Sequence, residues 1–217
     1  PSQMITALTF QKFHCNQFLK NFGVDVAEAI LIKKSDTFNP SIIMEKVGLP
    51  CFVKPTDGGS SFGITKVNSK SEISSAIDLA FEYGSQVIIE EFLDGREVTN
   101  GVFQSNNGIK VLPITEIKTE NDFFDYGAKY HGESSEITPA DLDIEMTAKI
   151  KSLTHFTYEI LGMNGIARMD YIIDQKGTPY LIEVNTVPGQ SAESIIPQMA
   201  KVEGIKMKEL FSQILDL

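Results

Sequence analysis

The chain has 217 residues and carries 19 Lys and Arg against 29 Asp and Glu, a formal charge of −10. That excess of acid argues against general nucleic-acid binding, which needs a basic footprint. Hydrophobic residues make up 42% of the chain, enough to bury a core without a metal staple, and the length allows one large domain or two small ones.

Cys15 and Cys51 show no Cys-x-x-Cys spacing, which suggests buried thiols in a reducing compartment, with a single disulfide as the alternative. No apolar stretch approaches the roughly 18 residues of a spanning helix, and no basic-then-apolar leader opens the chain. The expectation is a cytoplasmic protein without a membrane partner. The first residue is Pro1 rather than Met, which suggests a missing upstream part.

Phe10, Phe13, Phe18, Leu19 and Phe22 recur at helical spacing between Thr9, an N-cap candidate, and Gly23, a stop, and predict a first helix. The apolar runs 26–32 and 51–54 predict strands, the second bracketed by Pro50 and Pro55. Ser69 and Glu72 match a capping box ahead of Ile73, Ala76, Ile77, Ala80 and Phe81, with Gly84 at the far end, so a helix is expected there. Residues 86–92 predict a strand, which makes 1–91 an α+β unit, and Leu93-Asp94-Gly95 is a natural joint. Beyond it, 97–103 and 109–117 predict strands around Ser105-Asn106-Asn107-Gly108.

The polar stretch 118–139 has little periodicity and is long for a loop, a length usually found in functional or mobile segments. A long helix over 142–161, strands at 167–174 and 179–185, a Pro/Gly-rich loop and a helix over about 207–215 complete the order. Without strict βαβ alternation the fold class is α+β, in units 1–91 and 92–217.

The sharpest chemical signal is the strand pair around Gln175-Lys176-Gly177-Thr178. A four-residue loop there places Asp170 opposite Glu183 and Arg168 opposite Asn185, with Met169, Tyr171, Ile173, Tyr180, Ile182 and Val184 on the other face. Two carboxylates opposed on a sheet repel, so a positive charge should sit between them. Hard oxygen donors without thiolate or imidazole suit Mg²⁺ shared with phosphates. The alternative is an exposed hairpin end neutralised by an arginine. A second signal is Lys54-Pro55-Thr56-Asp57-Gly58-Gly59-Ser60-Ser61-Phe62-Gly63. Its glycines let backbone N–H groups surround an anion while Lys54 supplies charge, although the P-loop order is absent and a bare hairpin tip has the same composition. His14, His131 and His155 show no metal-ligand spacing.

Together with Glu90-Glu91-Phe92-Leu93, Ala128-Lys129-Tyr130, Arg168-Met169-Asp170 and Glu183-Val184-Asn185-Thr186-Val187-Pro188-Gly189, these segments resemble the ATP-grasp enzymes, and among them the D-alanine–D-alanine ligases, in order over nearly the whole chain. The resemblance implies an ATP-grasp fold with nucleotide between two α+β subdomains. It also implies an ATP-dependent ligase that joins two D-alanines through an acyl phosphate for peptidoglycan synthesis. By the same resemblance Lys12, Lys54 and Lys129 contact phosphates, and Ser60 and Ser61 lie in the flap over them. Glu90, Glu91 and Leu93 hold adenine and Glu97 the ribose. Asp170, Glu183 and Asn185 ligate two Mg²⁺, for which Mn²⁺ can substitute, and Arg168 and Gly189 stabilise the transition state. Ser194 meets the substrate carboxylate and Tyr130 steadies the closed site. Tyr at 130 is associated with the dipeptide, Phe there with lactate.

Bland alternatives are a solvated helix face for Lys12, a loop tip for Lys129 and Tyr130 and an ordinary strand carboxylate for Glu97. The resemblance further implies an N-terminal domain ahead of Pro1 and a homodimer at full length, so the chain as it stands is expected to bind ATP without making the dipeptide. Competing expectations are a D-lactate or D-serine ligase, and a nucleotide-binding module without ligase activity.

Overall fold

The computed structural model describes residues 1–56, 63–119 and 134–215. The chain opens with two helices, α1 (Gln3–Phe10) and α2 (Lys12–Lys20). Ser2 caps α1 by accepting from the Ile5 N–H, and the backbone breaks at Gln11. Thr9 is therefore not a cap. It lies inside α1 and donates its hydroxyl to the Ile5 carbonyl at 3.0 Å. The aromatic spacing also misleads, because Phe10 is 58% and Phe22 49% exposed while Ile5, Cys15 and Leu19 enter the core. Both cysteines are free, and burial pushes the Cys15 thiol up to about 12.

A four-stranded sheet follows, built from β1 (Ala29–Lys33), β2 (Cys51–Pro55), β3 (Thr65–Val67) and β4 (Gln86–Glu91) in the order β1-β4-β2-β3. Helices α3 (Pro40–Val47) and α4 (Ile73–Tyr83) pack on it. Val53, Val67, Ile73, Ile77, Val87 and Ile89 form the joint core. The expected capping box is present: the Ser69 side chain takes the Glu72 backbone N–H and the Glu72 side chain returns to Ser69. Helix α3 is not among the expected elements, although Asn39 caps it and Pro40 opens it, a standard start signal.

The second sheet comprises β5 (Gly95–Ser105), β6 (Gly108–Thr119), β7 (Ser134–Ile137), β8 (Ile166–Asp174) and β9 (Pro179–Asn185), all antiparallel in the order β7-β6-β5-β8-β9. Residues 118–119 and 134–137, expected in a loop, thus extend the sheet. One face packs on α1, α2 and α5 (Ile144–Ile160) through Leu19, Val98, Ile150, Tyr158, Met169 and Tyr171. The other is covered at one end by α6 (Ile195–Val202) and α7 (Met207–Leu215) through Phe103, Leu112, Ile196, Met199 and Leu210. Helix α6 occupies part of the expected Pro/Gly-rich loop. A Cβ at Gly101 would fall 2.7 Å from Ile196 Cδ1, so the missing side chain lets α6 approach β5. The sheets change between β4 and β5, at the expected joint, but residues 1–20 share the second core rather than that of the sheet next to them in sequence.

Where β5 begins, Arg96 donates to Glu116 of β6 through Nε at 2.8 Å and through its terminal nitrogen at 3.0 Å, and also to the Asp141 carbonyl at 2.6 Å. These bonds tie β5 and β6 to the approach to α5, and they hold the buried Glu116 carboxyl below the usual carboxylate range. Because the folded pKa is depressed, the stabilisation is present above the unfolded value of about 4.3 and is lost as pH falls through the lower folded value. Glu116→Gln is expected to cost about 1–3 kcal/mol at pH 7, with the difference from wild type shrinking below about pH 4, as measured by urea unfolding across pH.

Candidate functional site

The β8–β9 hairpin meets the expected register at its charged end, where Arg168 faces Asn185, Met169 faces Val184 and Asp170 faces Glu183. One step on, the register shifts and Tyr171 pairs with Leu181. Ile182 is the extra residue of a β-bulge, so the expectation that Tyr180 and Ile182 share the apolar face fails. Leu181 takes that place and is fully buried. The alternation rule assumed one residue per step on both strands, and a bulge breaks that assumption.

Positive charge does sit by the opposed carboxylates. Arg168 donates to both oxygens of Asp170, each at 2.8 Å, and the Thr99 hydroxyl on β5 donates to Asp170 Oδ1 at 2.5 Å. Lys12 Nζ, at the start of α2, lies 3.6 Å from Glu183 Oε2. The Asp170 carboxylate, with Glu183 and Glu136 beyond it, holds the Arg168 guanidinium above its ordinary value. Asn185 Oδ1 accepts the Val187 N–H at 3.0 Å, which sets the turn after β9. Thr99 carries no signature in its spacing, and only the pairing Thr99–Asp170 reveals it.

Across from this hairpin, on the first sheet, Lys54 of β2 forms a salt bridge with Glu90 of β4, and the two residues are only 8% and 6% exposed. The neighbouring Glu91 turns outward and accepts the Glu28 N–H at 2.8 Å. Leu93 lies in the joint between the sheets and is half-buried, and Glu97, opposite Ile172 on β8, is half-buried on the face that carries Asp170. The α1–α2 junction bonds to the end of β2. There Lys12 N–H meets the Thr56 carbonyl at 3.3 Å, and the Thr56 hydroxyl meets Gln11 Oε1 at 3.1 Å. Lys12 thus touches Glu183 of the second sheet through its side chain and Thr56, two residues past Lys54 of the first, through its backbone.

Gly189 and Ser194 meet at the entry to α6. A Cβ on Gly189 would fall 2.7 Å from Ser194 Oγ, and Ser194 Oγ lies 2.9 Å from Ser191 Oγ. One turn into α6, Gln198 donates to Glu136 of β7 at 2.6 Å. Ser60, Ser61, Lys129 and Tyr130 lie outside the described residues.

As a metal site, the cluster offers Asp170, Glu183 and the Asn185 amide on adjacent strands, an all-oxygen donor set that fits Mg²⁺. Arg168 and Lys12 hold the carboxylates there as counter-charges. Among the described residues no group of three or more His, Cys, Asp and Glu is gathered, and beside the two carboxylates the Asn185 amide oxygen is the donor that would complete such a set.

The buried Lys54–Glu90 pair yields a stability test. Removing one partner leaves an uncompensated buried charge, so Lys54→Met is expected to cost about 3–5 kcal/mol, whereas Lys54→Met with Glu90→Gln should recover most of it. Urea unfolding of both single variants and the double closes the cycle.

A family profile described as D-ala D-ala ligase C-terminus matches residues 18–216. A D-alanine–D-alanine ligase of Phocaeicola vulgatus is 46% identical over 98% of this chain and 66% of its own length. One of Flavobacterium johnsoniae is 48% identical over 98% and 65%. The chain therefore spans just under two thirds of the length of these curated relatives. Among solved structures, the VanG D-Ala:D-Ser ligase from Enterococcus faecalis aligns with a TM-score of 0.86 at 33% identity, covering 98% of this chain and 62% of that one. A D-alanine–D-alanine ligase from Bacillus anthracis complexed with ATP aligns at 0.83 and 27%, covering 98% and 66%. With five sequence motifs, two antiparallel sheets joined at 92–94 and these matches in agreement, the chain belongs to the D-Ala–D-Ala ligase C-terminal family and has its ATP-grasp fold.

Proposed function

We propose that this chain supplies the nucleotide- and metal-holding part of an ATP-dependent carboxylate–amine ligase that joins two D-alanines to D-alanyl-D-alanine for peptidoglycan synthesis. The observation that carries the reading is the cross-strand set of Asp170, Glu183 and Asn185 with Arg168 beside Asp170. In this reading ATP lies between the sheets. Glu90, Glu91 and Leu93 border the adenine, Glu97 takes the ribose hydroxyls, and Lys12, Lys54, Ser60, Ser61 and Lys129 meet the phosphates. Asp170, Glu183 and Asn185 hold two Mg²⁺, which neutralise phosphate charge.

The chain's own groups act by position and charge. Phosphoryl transfer to the carboxylate of the first D-alanine gives an acyl phosphate, and the amine of the second displaces phosphate from it. Arg168 and the Gly189 N–H face the developing negative charge, Ser194 orients the substrate carboxylate, and Tyr130 steadies the closed site against water. The proposed setting is the cytoplasm, and the proposed assembly of the whole enzyme is a homodimer. In the structure itself, no described helix is long and apolar enough to cross a membrane.

ATP is expected to bind only with a divalent cation, because Asp170 and Glu183 otherwise repel the phosphates. Calorimetry should show binding weakened by chelator and by Glu183→Gln, and equal affinity with and without Mg²⁺ would remove the metal assignment. In the full-length enzyme, dipeptide formation should fall roughly 10²–10³-fold in Arg168→Ala with ATP affinity changed less. If D-serine or D-lactate is consumed faster than a second D-alanine, the substrate assignment passes to that kind of ligase.

A further inference from the structure

The bulge at Ile182 decides where Glu183 points, and one buried side chain holds it. From the turn, β8 and β9 pair as Ile173 with Pro179, Ile172 with Tyr180 and Tyr171 with Leu181. Continued without interruption, that register would set Ile182 opposite Asp170 and turn Glu183 onto the face of Met169, inside the hydrophobic core. The extra residue at 182 returns Glu183 to the face of Asp170. Strand β9 is the sheet's edge, so β8 holds it from one side only. On its outer side the Asp25 carbonyl accepts the Leu181 N–H at 2.8 Å, and Asn16 Nδ2 donates to the Ile182 carbonyl at 3.1 Å.

We infer that Asn16 is a positioning residue, whose side-chain amide pins the Ile182 bulge and thereby sets Glu183 across from Asp170. Asn16 is buried on α2, one turn after Lys12. The same helix therefore grips the Glu183 carboxylate through Lys12 and the backbone just before it through Asn16. Asn16 Oδ1 is buried and finds no hydrogen-bond partner among the described residues. An amide with one half unmatched is a poor choice for packing alone, since a leucine there would leave no polar atom orphaned on the helix. The donor half is what the position uses. The inference rests on the proposed role of Glu183 as a metal ligand. Partners that orient such ligands typically change metal affinity 10–100-fold when removed.

The test measures the Mg²⁺ concentration that half-saturates ATP binding to the 217-residue chain, in wild type, Asn16→Leu and Leu19→Val, together with amide hydrogen exchange of residues 181–184 without ligand. Leu19→Val loosens the same helix but leaves the Asn16 amide and its bond to the Ile182 carbonyl in place. Asn16→Leu should raise the Mg²⁺ midpoint 10–100-fold and speed exchange at 182–184, while Leu19→Val lowers the melting temperature without moving the midpoint. An unchanged midpoint in Asn16→Leu, or an equal shift in Leu19→Val, overturns the positioning role and leaves the metal assignment standing. A wild-type chain that binds ATP without regard to Mg²⁺ overturns both.

Discussion

Two carboxylates held face to face on paired strands govern what surrounds them. Asp170 and Glu183 would repel across β8 and β9, and burial raises the cost of leaving either without a counter-charge. Arg168 reaches along its own strand to close a two-pronged contact on Asp170, and Thr99 completes the shell from β5. Glu183 lies on β9, the edge of the five described strands, and its cation comes from a helix instead. That requirement gives a reason for the place of α1 and α2. They cover β9 and the second core, leaving the sheet that follows them in sequence, and Lys12 sits where α2 begins.

How far the sequence reveals this arrangement depends on the range of each interaction. Asp170 opposite Glu183 could be read because a tight turn propagates register over few residues, and the capping box at Ser69–Glu72 because its partners are three apart. The bulge was hidden, since nothing in Tyr180-Leu181-Ile182 marks one residue as extra. Only the burial of Leu181 against Tyr171 and the amide of Asn16, far off in sequence, decide it. The aromatic run in the first two helices misled for a related reason. Its spacing is helical, but Ser2 sets where α1 begins and the break at Gln11 divides the run, so the face that meets the core is that of Ile5, Cys15 and Leu19.

The Lys54–Glu90 contact was equally invisible. Both residues drew attention separately, one for phosphate and the other for adenine, yet in the structure they satisfy each other within the first sheet. A buried lysine and a buried glutamate on neighbouring strands stabilise little in net terms, because desolvation consumes much of the attraction. Their value lies in specificity: the pair fixes the lysine's head beside the β2–β4 strands that lead to the joint. In the proposed role Lys54 meets an anion, and its pairing with Glu90 holds it in place without a ligand.

The same pattern recurs throughout the cluster and bears on how an acidic chain could take the proposed polyanionic substrate. Lys12 is matched by Glu183, Lys54 by Glu90 and Arg168 by Asp170, so these three pairs sum to no net charge. A triphosphate added alone would make the site strongly negative and would compete with three carboxylates for the same cations. In the proposed reaction, divalent ions bound by Asp170 and Glu183 would offset that charge, and Lys12 and Arg168 would then face phosphate. In the proposed reaction the carboxylates therefore have two successive partners. Without nucleotide, Lys12 and Arg168 hold them in register, and the same carboxylates would be the ones to hold the metal. Asn16 matters to both stages, since the bulge it pins keeps Glu183 on the side where either partner can reach it.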